Sequence, residues 1–156
     1  MERIAERAGC SAGLLYSYFD GKQALFDALY EQIVSRTHEE IPTVIDDLPE
    51  QTARIYDGQR AYPEVIRLTL WHLLEADEDV RIETATRGNA MRVAELADAQ
   101  RDGRIPAALS PEQLQTLIVA IASMWSTLPR ETLDLVPDQR VRRETIVEVM
   151  RRIVGD

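Results

Sequence analysis

Apolar positions recur along this chain at three- and four-residue spacing, and strict alternation never lasts beyond about four or five residues. The pattern predicts an all-α protein. In the first segment Ile4, Ala5 and Ala8 share one face, and Gly9 stands where a helix end favours a residue at ease with positive φ. Ser11 then offers an oxygen to the free N–H groups of a new first turn. Leu14, Leu15, Tyr16, Tyr18 and Phe19 crowd the short helix that follows, and Asp20-Gly21 breaks it. Helix, glycine turn and helix in this order is the layout of a helix-turn-helix, whose second helix enters a DNA major groove. The bland alternative is a helical hairpin with packed aromatics.

Further along, the same periodicity predicts a helix from Lys22 to about Glu40. Its inner stripe is Leu25, Ala28, Leu29, Ile33 and Val34, with Phe26 and Tyr30 on a flank. Pro42 ends it, and Thr43 to Asp47 form a partly extended connection. Short helices are expected from Leu48, with Pro49 in a first turn and Ala53, Ile55 and Tyr56 as apolar contacts before Gly58. From Pro63, Val65, Ile66, Leu68, Leu70, Trp71, Leu73 and Leu74 make a helix that is apolar nearly all round, the mark of a central core element. An acidic bend, Glu75 to Asp79, precedes a long helix from about Val80 to Arg101, which Asp102-Gly103 stops. Ser110 is placed to cap a helix whose first residue is Pro111. Two strongly amphipathic helices, over 111–128 and 138–154, close the chain.

Composition narrows the class. With 156 residues, 45% hydrophobic and 29% charged, the chain has the make-up of an ordinary soluble globular protein. No apolar run approaches the roughly 18 residues of a membrane span, charged Glu2 and Arg3 follow Met1 at once, and Cys10 is the one cysteine. A cytoplasmic protein is expected. The net charge of −9 is unusual for a nucleic-acid binder. However, residues 1–22 balance Arg3, Arg7 and Lys22 against Glu2, Glu6 and Asp20, and the excess acid lies downstream. DNA binding would then rest on a small patch, used twice.

Ile4, Ala5, Ala8, Gly9, Cys10, Ser11, Gly13, Leu15, Tyr16, Tyr18, Phe19, Lys22 and Leu25 stand in one register that resembles the motif of TetR-type transcriptional regulators. Residues 62–75 are similar to part of that family's body domain, and residues 99–121 to its connection into the last two helices. The resemblance implies a DNA-binding head, a linking helix that acts as lever, and a ligand-binding, dimerising body. Family members carry another helix before this motif, so the expected head lacks its first helix. The expected division is 1–46 for the head with its linking helix and 47–156 for the body.

Candidate sites follow from residue chemistry and the resemblance together. At the start of the recognition helix, Ala12, Gly13 and Leu14 are small or apolar and suit a thymine methyl or a close backbone approach. Ser11, Tyr16 and Tyr18 offer hydroxyls, and Lys22 opens the next helix, where its charge and the helix N-terminus favour a phosphate. The resemblance gives DNA-binding roles to Ser11, Gly13, Tyr16, Tyr18 and Lys22, while Leu15 and Phe19 are expected in the core. Trp71, His72, Leu74, Met91, Met124 and Trp125 are the adaptable groups of an expected pocket for a small, mostly apolar effector, with ordinary core packing as the alternative for each. Leu114, Leu117, Ile118, Ile121, Ile146, Val149, Met150 and Ile153 are expected at a homodimer interface, which the resemblance places on the last two helices. The alternative there is packing within one chain.

Catalysis finds no support. His38 and His72 are the only histidines, no His-x-x-His or Cys-x-x-Cys spacing occurs, and Ser123 and Ser126 have no partnered base in sequence. Neither metal nor cofactor is expected, and Cys10 reads as a small turn residue rather than a sensor. The expected function is a TetR-type regulator, in the sense of a repressor, that binds a double-stranded operator as a homodimer and leaves it when the effector binds. The alternative is a dimeric helical small-molecule-binding protein without working DNA binding.

Overall fold

The computed structural model describes residues 1–40, 44–75 and 82–155, with the backbone alone given for 34–40 and Glu75. Among the described residues every regular element is a helix: α1 Glu2–Ala8, α2 Ala12–Tyr18, α3 Lys22–Glu40, α4 Leu48–Ala61, α5 Pro63–Glu75, α6 Glu83–Arg101, α7 Pro111–Thr127, α8 Arg130–Leu133 and α9 Gln139–Val154. The expected stop at Pro42, the connection at Thr43, the acidic bend after Glu75 and the helix start at Val80 lie outside the described residues, as does the side chain of Val34. The short helix α8 had no counterpart in the sequence pattern.

Helix ends are written in local chemistry. Gly9 takes φ 69° after α1, and Cys10 N–H donates to Ala5 O at 3.0 Å. The chain thus reverses through a left-handed glycine that satisfies a free helix carbonyl. The same device recurs after α6, where Gly103 has φ 70° and Arg104 N–H donates to Ala99 O at 2.9 Å. Ser110 and Gln113 form a reciprocal capping box at the start of α7, with Pro111 in the first turn.

The body core centres on α4. Leu48, Ala53 and Tyr56 pack with Leu96, Ala99, Ile105, Leu114, Ile118, Ile121, Ile146 and Met150, so that α7 and α9 cover α4 from two sides. Small Ala53 and Thr52 on α4 are fully buried and let those helices approach closely. The buried polar groups are satisfied: Thr52 Oγ1 donates to Leu48 O at 2.7 Å, and Gln51 Oε1 accepts from Val44 N–H at 2.7 Å. Arg143 of α9 reaches back to α4, donating to Glu50 Oε1 at 2.9 Å and to Asp57 Oδ2 at 2.8 Å.

Three expectations are corrected. First, α4 runs unbroken through Gly58 to Ala61, and half-buried Gln59 beyond it donates to Ser123 Oγ at 2.9 Å and accepts from Ser126 Oγ at 3.1 Å on α7. Second, α5 is not central: none of its described side chains is fully buried, and Leu73 and Leu74 are 71% and 84% exposed. Among the described helices its main neighbours are α3 and α4, and much of its surface stays exposed. Third, among the described side chains of α3 the buried one is Phe26, whereas Ala28 and Leu29 of the expected stripe are exposed. The reason is that α3 meets α5 through aromatic rings: Phe26 lies 4.8 Å from Trp71 and 5.6 Å from His72 between ring centroids.

Candidate nucleic-acid interface

The turn between α1 and α2 aims a short helix outward. Ser11 caps α2 by accepting from Leu14 N–H at 3.2 Å, and Phe19 N–H closes the far end on Leu15 O at 2.9 Å. Nothing in α2 is fully buried. Ser11, Gly13, Leu14, Tyr16 and Tyr18 are all exposed, while Ala12, Leu15 and Phe19 are half-buried. Ser11 Oγ accepts one N–H in the cap, which leaves its hydroxyl hydrogen free to donate to an outside acceptor such as a phosphate oxygen. The two tyrosines are 57% and 76% exposed.

Lys22 opens α3, exposed, and its Nζ lies 4.6 Å from the centroid of the Trp71 ring. It also borders an open groove of about 1000 Å³ with Met1, Arg3, Ile4, Glu6, Arg7 and Ala8. Arg3 and Arg7 are four apart on α1, a spacing that puts both on one face, so three cations share this groove with one carboxylate. The sequence pattern counted these arginines but did not gather them with Lys22. Their spacing was the available signal, and it needed the groove that α1 shares with Lys22 to complete it.

The body residues behave differently. Trp71 and His72 are half-buried and stack toward α3, with Tyr30 6.3 Å from His72 and Thr69 Oγ1 donating to the Tyr30 hydroxyl at 3.4 Å. Met91 is 60% exposed on α6. Met124 and Trp125 pack against the main core, and Trp125 Nε1–H donates to Arg142 O at 3.2 Å beneath the Arg142 guanidinium. The six expected pocket residues therefore do not converge on one cavity: two face solvent, two join α3 to α5, and two brace α7 against α9. An open groove of about 460 Å³ does lie between α6 and α7, lined by Asn89, Val93, Glu112, Gln115, Thr116, Val119 and Ala120, with Gln115 Nε2 donating to Asn89 Oδ1 at 3.1 Å.

The expected interface residues also divide. Leu114, Ile118, Ile121, Ile146 and Met150 are buried within the chain, where α4 supplies the cover assigned to a partner. Leu117, Val149 and Ile153 keep part of their surface open. The periodicity of α7 and α9 gave an apolar face, but not which neighbour would take it.

This fold and its turn match known proteins. Residues 1–29 match the model of bacterial regulatory proteins of the tetR family, and residues 47–152 match that of the tetracyclin repressor-like C-terminal domain. The chain belongs to the TetR family. Its TetR relatives include the HTH-type transcriptional repressor SCO4008 of Streptomyces coelicolor, 29% identical over 160 aligned positions that span 99% of this chain and 83% of that one. The fold is similar to the crystal structure of SCO4942, a candidate transcriptional regulator of Streptomyces coelicolor. The TM-score is 0.85 at 28% identity, covering 97% of this chain and 84% of that chain. This TetR chain is thus a transcriptional regulator of a family whose members bind DNA operators and typically form homodimers. Among its described residues no helix is long and apolar enough to cross a membrane, and no group of three or more His, Cys, Asp or Glu side chains could hold a metal ion.

Proposed function

We propose that this regulator represses transcription in the cytoplasm by binding operator DNA as a homodimer, and that a small, mostly apolar effector releases it. The observation that carries this reading is the turn held by Gly9 and Ser11, which leaves the face of α2 around Gly13, Leu14, Tyr16 and Tyr18 open. Residues 1–46 act as the head and 47–156 as the body. Ala12, Gly13 and Leu14 meet base edges, whereas Ser11, Tyr16, Tyr18 and Lys22 take backbone phosphates. Two such heads, about 34–36 Å apart, would enter successive major grooves. Leu117, Val149 and Ile153 are the remaining apolar contacts for a second copy. Apolar surface left open on the body, at Leu73, Leu74 and Met91, supports an apolar effector. Such an effector must bind the released state more tightly than the DNA-bound one.

The net charge of −9 favours a second reading, a dimeric small-molecule-binding body without working DNA binding. Selection from a random duplex library, followed by competition of the selected duplex against a scrambled one, separates the two. The repressor reading expects a preference of at least about 10³-fold at physiological salt. Folded protein that retains no sequence above non-specific background leaves the second reading standing.

A further inference from the structure

The ammonium of Lys22 rests on a ring that belongs to the other part of the molecule. Lys22 is the first residue of α3, next to the recognition helix, and Trp71 sits on α5 in the body. The Nζ–centroid separation of 4.6 Å is within the range in which a cation is drawn to an indole face. Two features hold the pair together. Phe26, one helical turn after Lys22, packs on the same Trp71 at 4.8 Å and fixes the ring against α3. Arg3 and Arg7 share the groove on the other side of Lys22, and their like charges disfavour an ammonium placed there.

We propose that Trp71 restrains DNA binding by holding Lys22, so that the body competes with the operator for this cation. The inference rests on Lys22 being a phosphate contact. A phosphate at the N-terminus of α3 is met by free backbone N–H groups and by Lys22, whereas the indole comes from α5. An ammonium on one flexible stem makes its close, 2.7–2.9 Å type of contact with a phosphate oxygen or lies flat against the ring. A contact made only in the free protein weakens DNA binding by its own free energy. Any shift of α5 that tightens or loosens the Trp71 ring on Lys22 is thereby felt at the DNA, without rearrangement of α2 itself. Trp71 acts through Lys22 and is a positioning residue.

The test is a double-mutant cycle with the full chain, read by fluorescence anisotropy on a labelled duplex selected by the wild-type protein. Trp71→Leu is expected to tighten binding roughly two- to fivefold for each head, the factor an exposed cation–π contact is worth. The gain should vanish in the Lys22→Gln background. Trp71→Phe, which keeps a ring against Phe26 and so protects the fold, should give a smaller gain in the same direction. Lys22→Gln alone should weaken binding and lower the salt slope by about one for each head. If either Trp71 substitution weakens binding, or shifts it equally with Lys22 and with Gln, the ring merely packs and the inference is overturned. An unchanged affinity and salt slope for Lys22→Gln overturns it as well, while leaving DNA binding through α2 intact. Failure of the wild-type protein to retain any duplex removes the functional reading and this inference together.

Discussion

Helices α4 and α5 are joined by one residue, Tyr62, and their sequences suggest opposite fates. α5 carries Leu68, Leu70, Leu73, Leu74, Val65 and Ile66, whereas α4 contains two arginines, a glutamate, an aspartate and a glycine. Yet α4 is the centre of the body, and α5 leaves its last leucines in solvent. The difference is one of neighbours. α4 lies between α7 and α9, so even Thr52 and Gln51 are buried there, with hydrogen bonds that remove the cost. α5 has α4 and α3 as its main described neighbours, and Leu70, Leu73 and Leu74 stay exposed. Hydrophobic content measures what a helix offers to a core. Position in the bundle decides how much of that offer is taken up.

Substitutions can break this contrast, and the largest effect is expected in the cover of α4. Met150→Ala removes a fully buried side chain from α9 and should cost about 2–5 kcal/mol in urea denaturation. Next comes Ala53→Leu, which overfills the closest approach and should cost about 1–3 kcal/mol. A tolerated leucine at this position would mean that α4 is not tightly enclosed.

Arg143→Ala should cost on the order of 1 kcal/mol, since its paired groups are about a third exposed and solvent screens them. Its signature is in pH. The hydrogen bonds that Arg143 donates hold the Glu50 carboxyl below its ordinary value of 4.5, and a second bond from Arg54 adds to this. A depressed carboxylate stabilises the fold above its unfolded pKa, and the contribution is lost as pH falls through the folded value. The stability gap between wild type and Arg143→Ala should therefore be constant near neutrality and narrow below about pH 4.5. A gap independent of pH would show that Glu50 does not carry it.

The smallest effect is expected from the leucines that looked most like core. Leu73→Ser and Leu74→Ser should each change stability by no more than about 0.5 kcal/mol in dilute protein. Larger losses that grow with protein concentration would mean that a second copy covers α5.

This contrast also explains how much was legible in the sequence. The turn at Gly9-Cys10-Ser11, the stop at Gly103 and the cap at Ser110 were readable because each is settled within about six residues by glycine conformation or a side-chain oxygen. The helix over 111–128 and the one over 138–154 were readable from period alone. What was not readable depended on distant neighbours. Phe26 outranks Leu29 on α3 because Trp71 and His72 of α5 meet it. Ile146 and Met150 look like an interface until α4 is laid against them. Trp125 looks like a pocket wall until its indole N–H finds Arg142 O. The grouping of Arg3 and Arg7 with Lys22 likewise needed α1 and the start of α3 to share a groove.

The central claim is that the open face of α2 reads DNA, and Tyr16 tests it most directly because it is 57% exposed on that face. The measurement is an anisotropy titration of the selected duplex with wild type and with Tyr16→Ala, the two proteins matched by thermal melting. The account predicts equal melting temperatures and at least about a tenfold loss of affinity, the factor that 1.4 kcal/mol of lost contact produces. Equal melting with unchanged affinity would contradict it, and would move the DNA contact, if there is one, away from α2.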